Sequence, residues 1–507
     1  MESSEERQAR TIRDTLLNLP DNEIEERRKV RRDYIFYKGK SIDFERAKND
    51  PILYGQNWPT DDNCDYKPTQ DIRNKVKPLL KKQARWMFGK EPTLIFKPDD
   101  FKDKDKCEDL RKFVEDIFES NNFWNNTRKA FLESTVKKRV LLRAEANPGQ
   151  PLVLKYETIE NFYYKEKNGV LLKVVFFEED ELNVYREADA DKIYYLHTYY
   201  YKVNENSKER QAWYKKETYK NTDLQEGLTI DIDTGFTAIP CWLIKNGGEL
   251  NDSFGESDVT ELEDAQNQYN RRISDFADAL RFQLFGSEVV IDGDEDDVNK
   301  FTIAPNALHA VKTRDELLES GKQAAVQRME YNIGNSDAIE AYLDRTERDM
   351  NFALDMPKLS DLNNIPSAKA MIYLYNDLIA RCEEKWNDWE RPLLALINFI
   401  IEVAPVCYKG IFNFEWLSIK YTTIFKHNYP LPSDDDEKKK TAISEVEADV
   451  RSRKSYIKEF SDEEDDEKAF SEILEEKTQL SNAEDSFTEG LNNELNNNVD
   501  NNLNTGE

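Results

Sequence analysis

SDVTELEDAQNQYNRRISDFADALRFQL (Ser257–Leu284) reads as one long amphipathic helix. Val259, Leu262, Tyr269, Ile273, Phe276, Leu280 and Leu284 recur at steps of three, four and seven, giving one apolar stripe about 40 Å long. Arg271, Arg272, Asp275, Asp278 and Arg281 lie off that stripe. A second helical pattern runs from Ser336 to Leu354, with Ile339, Leu343, Thr346, Met350 and Leu354 on its stripe and Arg345 and Arg348 elsewhere. Two such helices pack antiparallel, which puts the residues between them at their far tip. In that insert EVVI and FTIA (Phe301–Ala304) read as short strands around DGDEDD, and a small helix is expected from Arg314 to about Tyr331. Pro357 and Pro366 then break the chain. Ser367 is placed to N-cap a helix of roughly 55 Å, in which Pro392 should introduce a kink and Trp386 and Trp389 are core or subunit-contact residues.

Residues 1–45 are charged and helix-prone, with a small apolar patch at Leu16, Leu17 and Leu19; EIEERRKVRRDYIFYKGKSI alternates in sign and suggests a solvated face whose basic half is free to touch a partner. Residues 46–70 carry four helix breakers (Pro51, Gly55, Pro59, Pro68) and read as a loop. Helices are expected from Asp71 to Gly89, around Leu110–Phe118, and from Trp124 to about Arg143, with TLIF (Thr93–Phe96) as a strand. Residues 151–245 change character: Leu171–Phe177, Lys192–Val203 and Arg210–Tyr219 are β-branched and aromatic, and NENSK (Asn204–Lys208) reads as a hairpin loop. This is an antiparallel, Tyr-rich sheet packed on helices. Its rings suit base stacking, but no basic groove accompanies them. FNFEWLSIKYTTIF is strand-like, NYPLPSDDDEKKKTAIS a linker, Ala442 to about Lys477 a charged helical segment broken near Ser461, and residues 481–507 an Asn- and acid-rich tail expected to be disordered.

The chain has 507 residues, 101 Asp and Glu against 72 Lys and Arg, and a formal charge of −29. The length suits several domain-sized units. The charge excludes a sequence-reading DNA protein, which needs a basic face, and suits a surface that nucleic acid passes without sticking. Five cysteines without a CxxC pair read as reduced thiols. The charged start lacks the apolar core of a signal peptide, and the longest apolar run, Pro392–Ile401, is about half a membrane span, so a soluble protein is expected.

Catalytic patterns fail on inspection. Gly39-Lys40-Ser41 lacks the upstream glycine of a phosphate loop, because Tyr34 stands there. Asp292–Ile303 matches a calcium loop at its first, third and fifth positions but has Asp297 where the sharp turn needs glycine and Ile303 where a bidentate Glu belongs. His197, His309 and His427 are isolated, and Asp434–Asp436 with Glu437-Lys438-Lys439 mimics a metal nuclease only within a charge run. No catalytic residue, metal site or cofactor is expected.

Three stretches carry a resemblance: RNKVKPLLKKQARWMFGKEPTLIF (Arg73–Phe96), DAIEAYLDRTERDMNFALDMPKLSDLNNIPSAKAMIYLYNDL (Asp337–Leu378) and RSRKSYIKEFSDEEDDEKAFSEILEEK (Arg451–Lys477). In this order, around a helix–insert–helix, the chain resembles tailed-phage portal proteins of the SPP1-like siphophage family over about residues 20–480. The resemblance implies an α+β, mainly α, portal fold: a wing of helices plus antiparallel sheet, a helical stem, a small α/β clip and a helical crown, assembled as a ring of typically twelve subunits. It maps residues 1–45 to an N-terminal helical segment, 46–256 to the wing, 257–284 to the first stem helix, 285–331 to the clip and 332–355 to the second stem helix. A tunnel loop follows at 356–366, then a long kinked wing helix with closing strands at 367–427, the crown at 428–480 and the tail at 481–507. It implies a non-enzymatic channel at one capsid vertex of the virion, assembled in the host cytoplasm, for packaging and ejecting double-stranded DNA without sequence preference. Its implied partners are the terminase large subunit, a head-completion adaptor, and the capsid and scaffolding proteins; no membrane is among them. Lys358, Leu359, Leu362, Asn363, Asn364 and Ile365 would line the constriction. Arg271, Arg272, Arg281, Arg345 and Arg348 would be lumen charges or intersubunit ion pairs. Asp292, Asp294, Glu295, Asp296 and Asp297 would dock partners. The competing readings are a scaffolding or capsid-interaction protein without a channel, and a metal-dependent nuclease.

Overall fold

The computed structural model describes residues 12–39, 68–69, 71–167, 169–203, 210–249, 252–285, 287–294, 296, 311–318, 321, 323–329, 336–357, 371, 373–430, 435–460 and 470–478. The chain forms two compact units, one from residues 1–363 and 374–430, the other from 364–373 and 431–507.

In the first unit the helices are α1 (Ile12–Leu16), α2 (Asp21–Lys38), α3 (Val76–Phe88), α4 (Lys104–Ser120), α5 (Phe123–Lys137), α6 (Asp258–Phe285), α7 (Asp315–Leu318), α8 (Ser336–Ala353) and α9 (Asn376–Cys407). The amphipathic spacing of α3, α4, α6, α8 and α9 turns one face of each inward. Around α9 the core is aromatic. Trp386 and Trp389 are buried, with Phe88 5.1 Å from Trp389 and 6.1 Å from Trp386, and Phe131 5.8 Å from Trp389. Pro392 and Pro405 both lie inside the α9 helix. Below this core, β1 (Thr93–Pro98) pairs with β13 (Tyr421–Lys426).

Two larger antiparallel sheets follow in the chain. β2 (Arg139–Glu145) lies between β3 (Val153–Thr158) and β10 (Cys241–Lys245). The larger sheet runs β4 (Phe162–Lys167), β5 (Val170–Glu179), β6 (Ile193–Val203), β7 (Arg210–Lys220), β8 (Asp223–Leu224), with β9 (Ile230–Asp233) also on β7. Side chains alternate along β5: Val174 and Phe176 pack with Leu141 and Cys241, while Val175 and Phe177 pack with Leu17 and Leu19. The N-terminal leucine patch therefore covers one face of the aromatic sheet. β6 and β7 pair out to Val203 and Arg210, a hairpin whose connection at 204–209 lies outside the described residues.

Several expectations are corrected. The helix expected from Asp71 begins at Val76, because the preceding backbone bonds to α6. The helix expected to reach Arg143 ends at Lys137; Lys138 takes φ 72° and the chain becomes the central strand β2. Where a helix is expected over Arg314–Tyr331, the described residues form α7 and then β12 (Ala325–Met329), which pairs with β11 (Ser287–Ile291). Within the strand-like FNFEWLSIKYTTIF, Phe414–Ser418 is a 3-10 turn. The alternating-sign helix α2 is not solvated all round: Glu23, Glu26 and Asp33 are buried. Arg139 is fully buried and donates from Nη2 to both Glu23 oxygens at 2.7 and 2.9 Å, while Arg27 Nε donates to Oε1 at 2.9 Å. Those bonds offset the desolvation of the carboxylate.

In the second unit α10 (Asp435–Glu447) and α11 (Arg453–Phe460) are followed by helix at residues 470–478. Helix thus begins inside the stretch expected to be a linker, and Ala442 and Ile457 supply its buried apolar contacts.

Candidate functional site

The paired helices α6 and α8 and what roots them form the candidate site. Val259, Leu262, Tyr269 and Ile273 of α6 are buried, as are Leu343, Thr346 and Met350 along α8 and Leu354 just beyond it, as the two stripes require. Burial fades toward the tip, where Leu280 and Phe282 are about two-fifths exposed.

A second face of α6 is buried too, and it is polar. Gln266, Asn270, Ser274 and Asp278, four residues apart, hold the chain that precedes α3. Asp278 accepts from the backbone N–H of Thr69 at 3.0 Å and from its hydroxyl at 2.5 Å. Ser274 Oγ accepts from the N–H of Asp71 at 2.9 Å, Asn270 Oδ1 from that of Arg73 at 3.2 Å, and Gln266 Oε1 from that of Lys75 at 2.8 Å. Gln266 returns a bond from Nε2 to the carbonyl of Arg73 at 2.9 Å. Four helical residues rise about 6.0 Å and two residues of extended chain about 6.6 Å, so alternate N–H groups meet successive turns. Each rung gives a backbone donor of the strap a partner on α6. The strap ends at Lys75, whose ammonium bonds Glu347 of α8 at 3.1 Å and so bridges both helices.

The base of the pair is fixed by α9. Asp258, at the start of α6, is buried and accepts from Lys385 Nζ at 2.9 Å and from Asn246 Nδ2 at 2.8 Å. Burial acts to raise its carboxyl pKa, but Lys385 and Arg381 overcome that and hold it below its ordinary value. Arg381 also reaches Glu261 at 3.1 Å, Asp355 at 3.6 Å and the carbonyl of Ala353 at 3.2 Å. One guanidinium therefore joins the first turn of α6, the end of α8 and the body of α9.

At the tip, β11 and β12 form a hairpin-like pair, and Gly293 bridges Thr313. A Cβ on Gly293 would lie 2.4 Å from Val290 Cγ1 and 2.6 Å from Val311 Cγ1, so any other residue there would force these two valines to shift. Asp292 has φ 56°, and its carbonyl accepts from the N–H of Arg314 at 3.2 Å. Asp294 accepts from the N–H of Asp296 at 3.2 Å. Among the described residues no three His, Cys, Asp or Glu side chains are placed to hold a metal ion.

Of the other expected site residues, Arg272 pairs with Asp275 within α6 at 3.1 Å, both side chains more than half exposed. Arg281, Arg345 and Arg348 are exposed, and Arg271 is intermediate. Glu295, Asp297, Lys358, Leu359, Leu362, Asn363, Asn364 and Ile365 lie outside the described residues, as do Ser367 and Phe301–Ala304. The polar ladder and the Arg381 clamp were not anticipated from sequence. The ladder's signal was present: four hydrogen-bonding side chains at a four-residue spacing beside the apolar stripe. Cys107, Cys241, Cys382 and Cys407 are free and buried. Among the described residues no helix is long and apolar enough to cross a membrane.

A search of curated proteins finds no match. Among solved structures the chain is similar to one described as "Neck of native GTA particle computed with C12 symmetry", at 12% identity and a TM-score of 0.38, covering 75% of this chain and 87% of that one. It is similar to the same extent to "Neck of empty GTA particle computed with C6 symmetry", again at 12% identity, TM-score 0.38 and coverage of 75% and 87%. The family described as "Phage portal protein, SPP1 Gp6-like" matches residues 16–483, which includes both units and everything from α2 to the helix at 470–478. The chain belongs to the SPP1 Gp6-like family of phage portal proteins.

Proposed function

We propose that copies of this portal protein close into a ring, of twelve subunits in the form the resemblance implies, and that α6 and α8 of each copy line a channel for double-stranded DNA at one capsid vertex. The observation that carries this reading is the family match across residues 16–483, combined with a helix pair rooted in α9 by Arg381 and strapped along its length. A channel wall must stay rigid while DNA moves past it, and buried polar links fix its geometry better than apolar contact alone. A closed ring needs a heterologous interface whose rotation closes. Sliding DNA needs phosphate contacts that are weak and screened by salt, because each adds salt-dependent affinity; the charge of −29 keeps the rest of the surface from holding it.

Residues 356–366 form the constriction, with Leu359, Leu362, Asn363, Asn364 and Ile365 meeting DNA sterically or through weak polar contact and Lys358 as its cation. Residues 285–331 form the clip, and the acidic run Asp292–Asp297 docks the packaging terminase and later the adaptor. The ring nucleates procapsid assembly with capsid and scaffolding proteins, and it performs no catalysis. Deleting Leu359–Ile365 tests the constriction: rings remain and DNA packaging or retention fails. Packaging at the wild-type level by that variant would remove the assignment.

A further inference from the structure

The solvent side of α3 stands out in an acidic chain. It carries Lys77, Lys81, Lys82 and Arg85 and no Asp or Glu anywhere along its length. Lys81 and Arg85 are exposed and Lys77 and Lys82 intermediate, while Leu79, Leu80, Gln83, Ala84, Trp86, Met87 and Phe88 are buried beneath them. Lys77, Lys81 and Arg85 repeat every four residues, about 6 Å apart along one line. Among the described residues no carboxylate forms an ion pair with any of the four. Lys82 fixes where this line sits. Its ammonium is 3.5 Å from the carbonyl of Pro357, where the chain leaves α8, and 5.7 Å from the Tyr375 ring, where the chain enters α9. Trp86, one turn on, stacks on the same Tyr375 ring at 4.3 Å.

We propose that Lys77, Lys81 and Arg85 form a phosphate-contacting face for double-stranded DNA beside the constriction. The inference rests on the channel reading and adds to it a named set of electrostatic contacts outside residues 356–366. Charge complementarity selects the occupant. A cationic line with no carboxylate partner among the described residues, in a chain of charge −29, fits a dense polyanion, and a duplex presents a phosphate about every 1.7 Å of its axis. The exposed helices of a neighbouring copy fit less well, because their acids are interrupted by cations: Lys104, Lys112 on α4 and Arg345, Arg348 on α8. Three cations per subunit position a backbone without reading bases, and salt screens them.

The test is amine acetylation of the full chain, read residue by residue by mass spectrometry, with a blunt-ended duplex of random sequence as probe. Reactivity is measured on unassembled chain, on the assembled preparation, and on the assembled preparation with duplex at low and high salt. Lys77 and Lys81 should lose reactivity roughly threefold or more when duplex is added at low salt and regain it at high salt, as released counterions require. The exposed Lys102 and Lys112 should not change. Unchanged reactivity of Lys77 and Lys81 overturns the proposal. Protection that appears on assembly alone also overturns it, since a neighbouring copy then covers α3. The triple variant Lys77→Gln, Lys81→Gln, Arg85→Gln should flatten the salt dependence of duplex binding, whereas Arg85→Lys should preserve it; equal slopes for wild type and triple variant count against the face. Protected lysines with normal packaging by the Leu359–Ile365 deletion would leave this inference and remove the constriction reading. Unprotected lysines with failed packaging would do the reverse.

Discussion

Arg381 of α9 donates from Nη1 to the carbonyl oxygen of Ala353, the last residue of α8, at 3.2 Å. A cation there meets the negative end of the helix dipole and satisfies a carbonyl that has no partner within the helix. The same side chain faces Asp258 and Glu261 of α6 and Asp355 beyond α8. Arg381→Ala should lower stability by about 3 kcal/mol, the lower end for breaking a buried charge pair. Arg381→Lys should recover little of it, because one ammonium cannot span a carbonyl and several carboxylates at once. Denaturant midpoints of the two variants check this, and equal midpoints for wild type and Arg381→Ala would refute the clamp.

The strap on α6 makes an alternating prediction. The amides of Thr69, Asp71, Arg73 and Lys75 are bonded to the ladder. Hydrogen exchange resolved by residue should find these protected and those of Ile72 and Asn74 fast. Asn270→Ala should release Arg73 and cost about 1 kcal/mol, the net worth of one hydrogen bond. Uniform protection across residues 71–75 would contradict the ladder.

Asp33 supplies a pH dependence. Burial pushes its carboxyl up to about 6, against the opposing pull of Arg32 and Lys138. The folded state therefore holds this proton to higher pH than the unfolded state. The stability it contributes is complete below the unfolded pKa, near 3.8, and is lost as pH rises through about 6. Above that pH the ionised group costs on the order of 2–3 kcal/mol at about 1.4 kcal/mol per pH unit. Asp33→Asn should raise stability at pH 7 and flatten the profile between pH 4 and 6. An unaltered profile would show that Asp33 ionises freely in the fold.

What was legible in the sequence was periodic. The stripes of α6 and α8, the aromatic strands β5 to β7 and the buried pair Trp386 and Trp389 are set by residue spacing, and spacing survives without tertiary information. What was missed depends on partners distant in sequence. Glu23 and Glu26 looked solvated because their cations, Arg139 and Lys138, come more than a hundred residues later. Arg139–Arg143 looked helical because Leu and Arg favour helix, yet pairing with β3 and β10 decides for strand. Ala325–Met329 was misread for the same reason, its Ala, Gln, Arg and Met being overridden by pairing with Ser287–Ile291. Gln266, Asn270 and Ser274 drew no reading and Asp278 only a place off the apolar stripe, because the chain that covers them reads as loop at Thr69 and as helix from Asp71. At the candidate site, the expected channel and docking residues were named from resemblance, and the links that hold the site together emerge only from geometry.

The proposed ring sets α6 and α8 of each copy around an open channel. Negative-stain electron microscopy of the purified full-length protein tests it most directly. Closed rings are expected, with a central stain-filled hole wide enough for a DNA duplex and a narrower stalk where α6 and α8 project. Monomers or dimers only, or rods and shells without a hole, would contradict it.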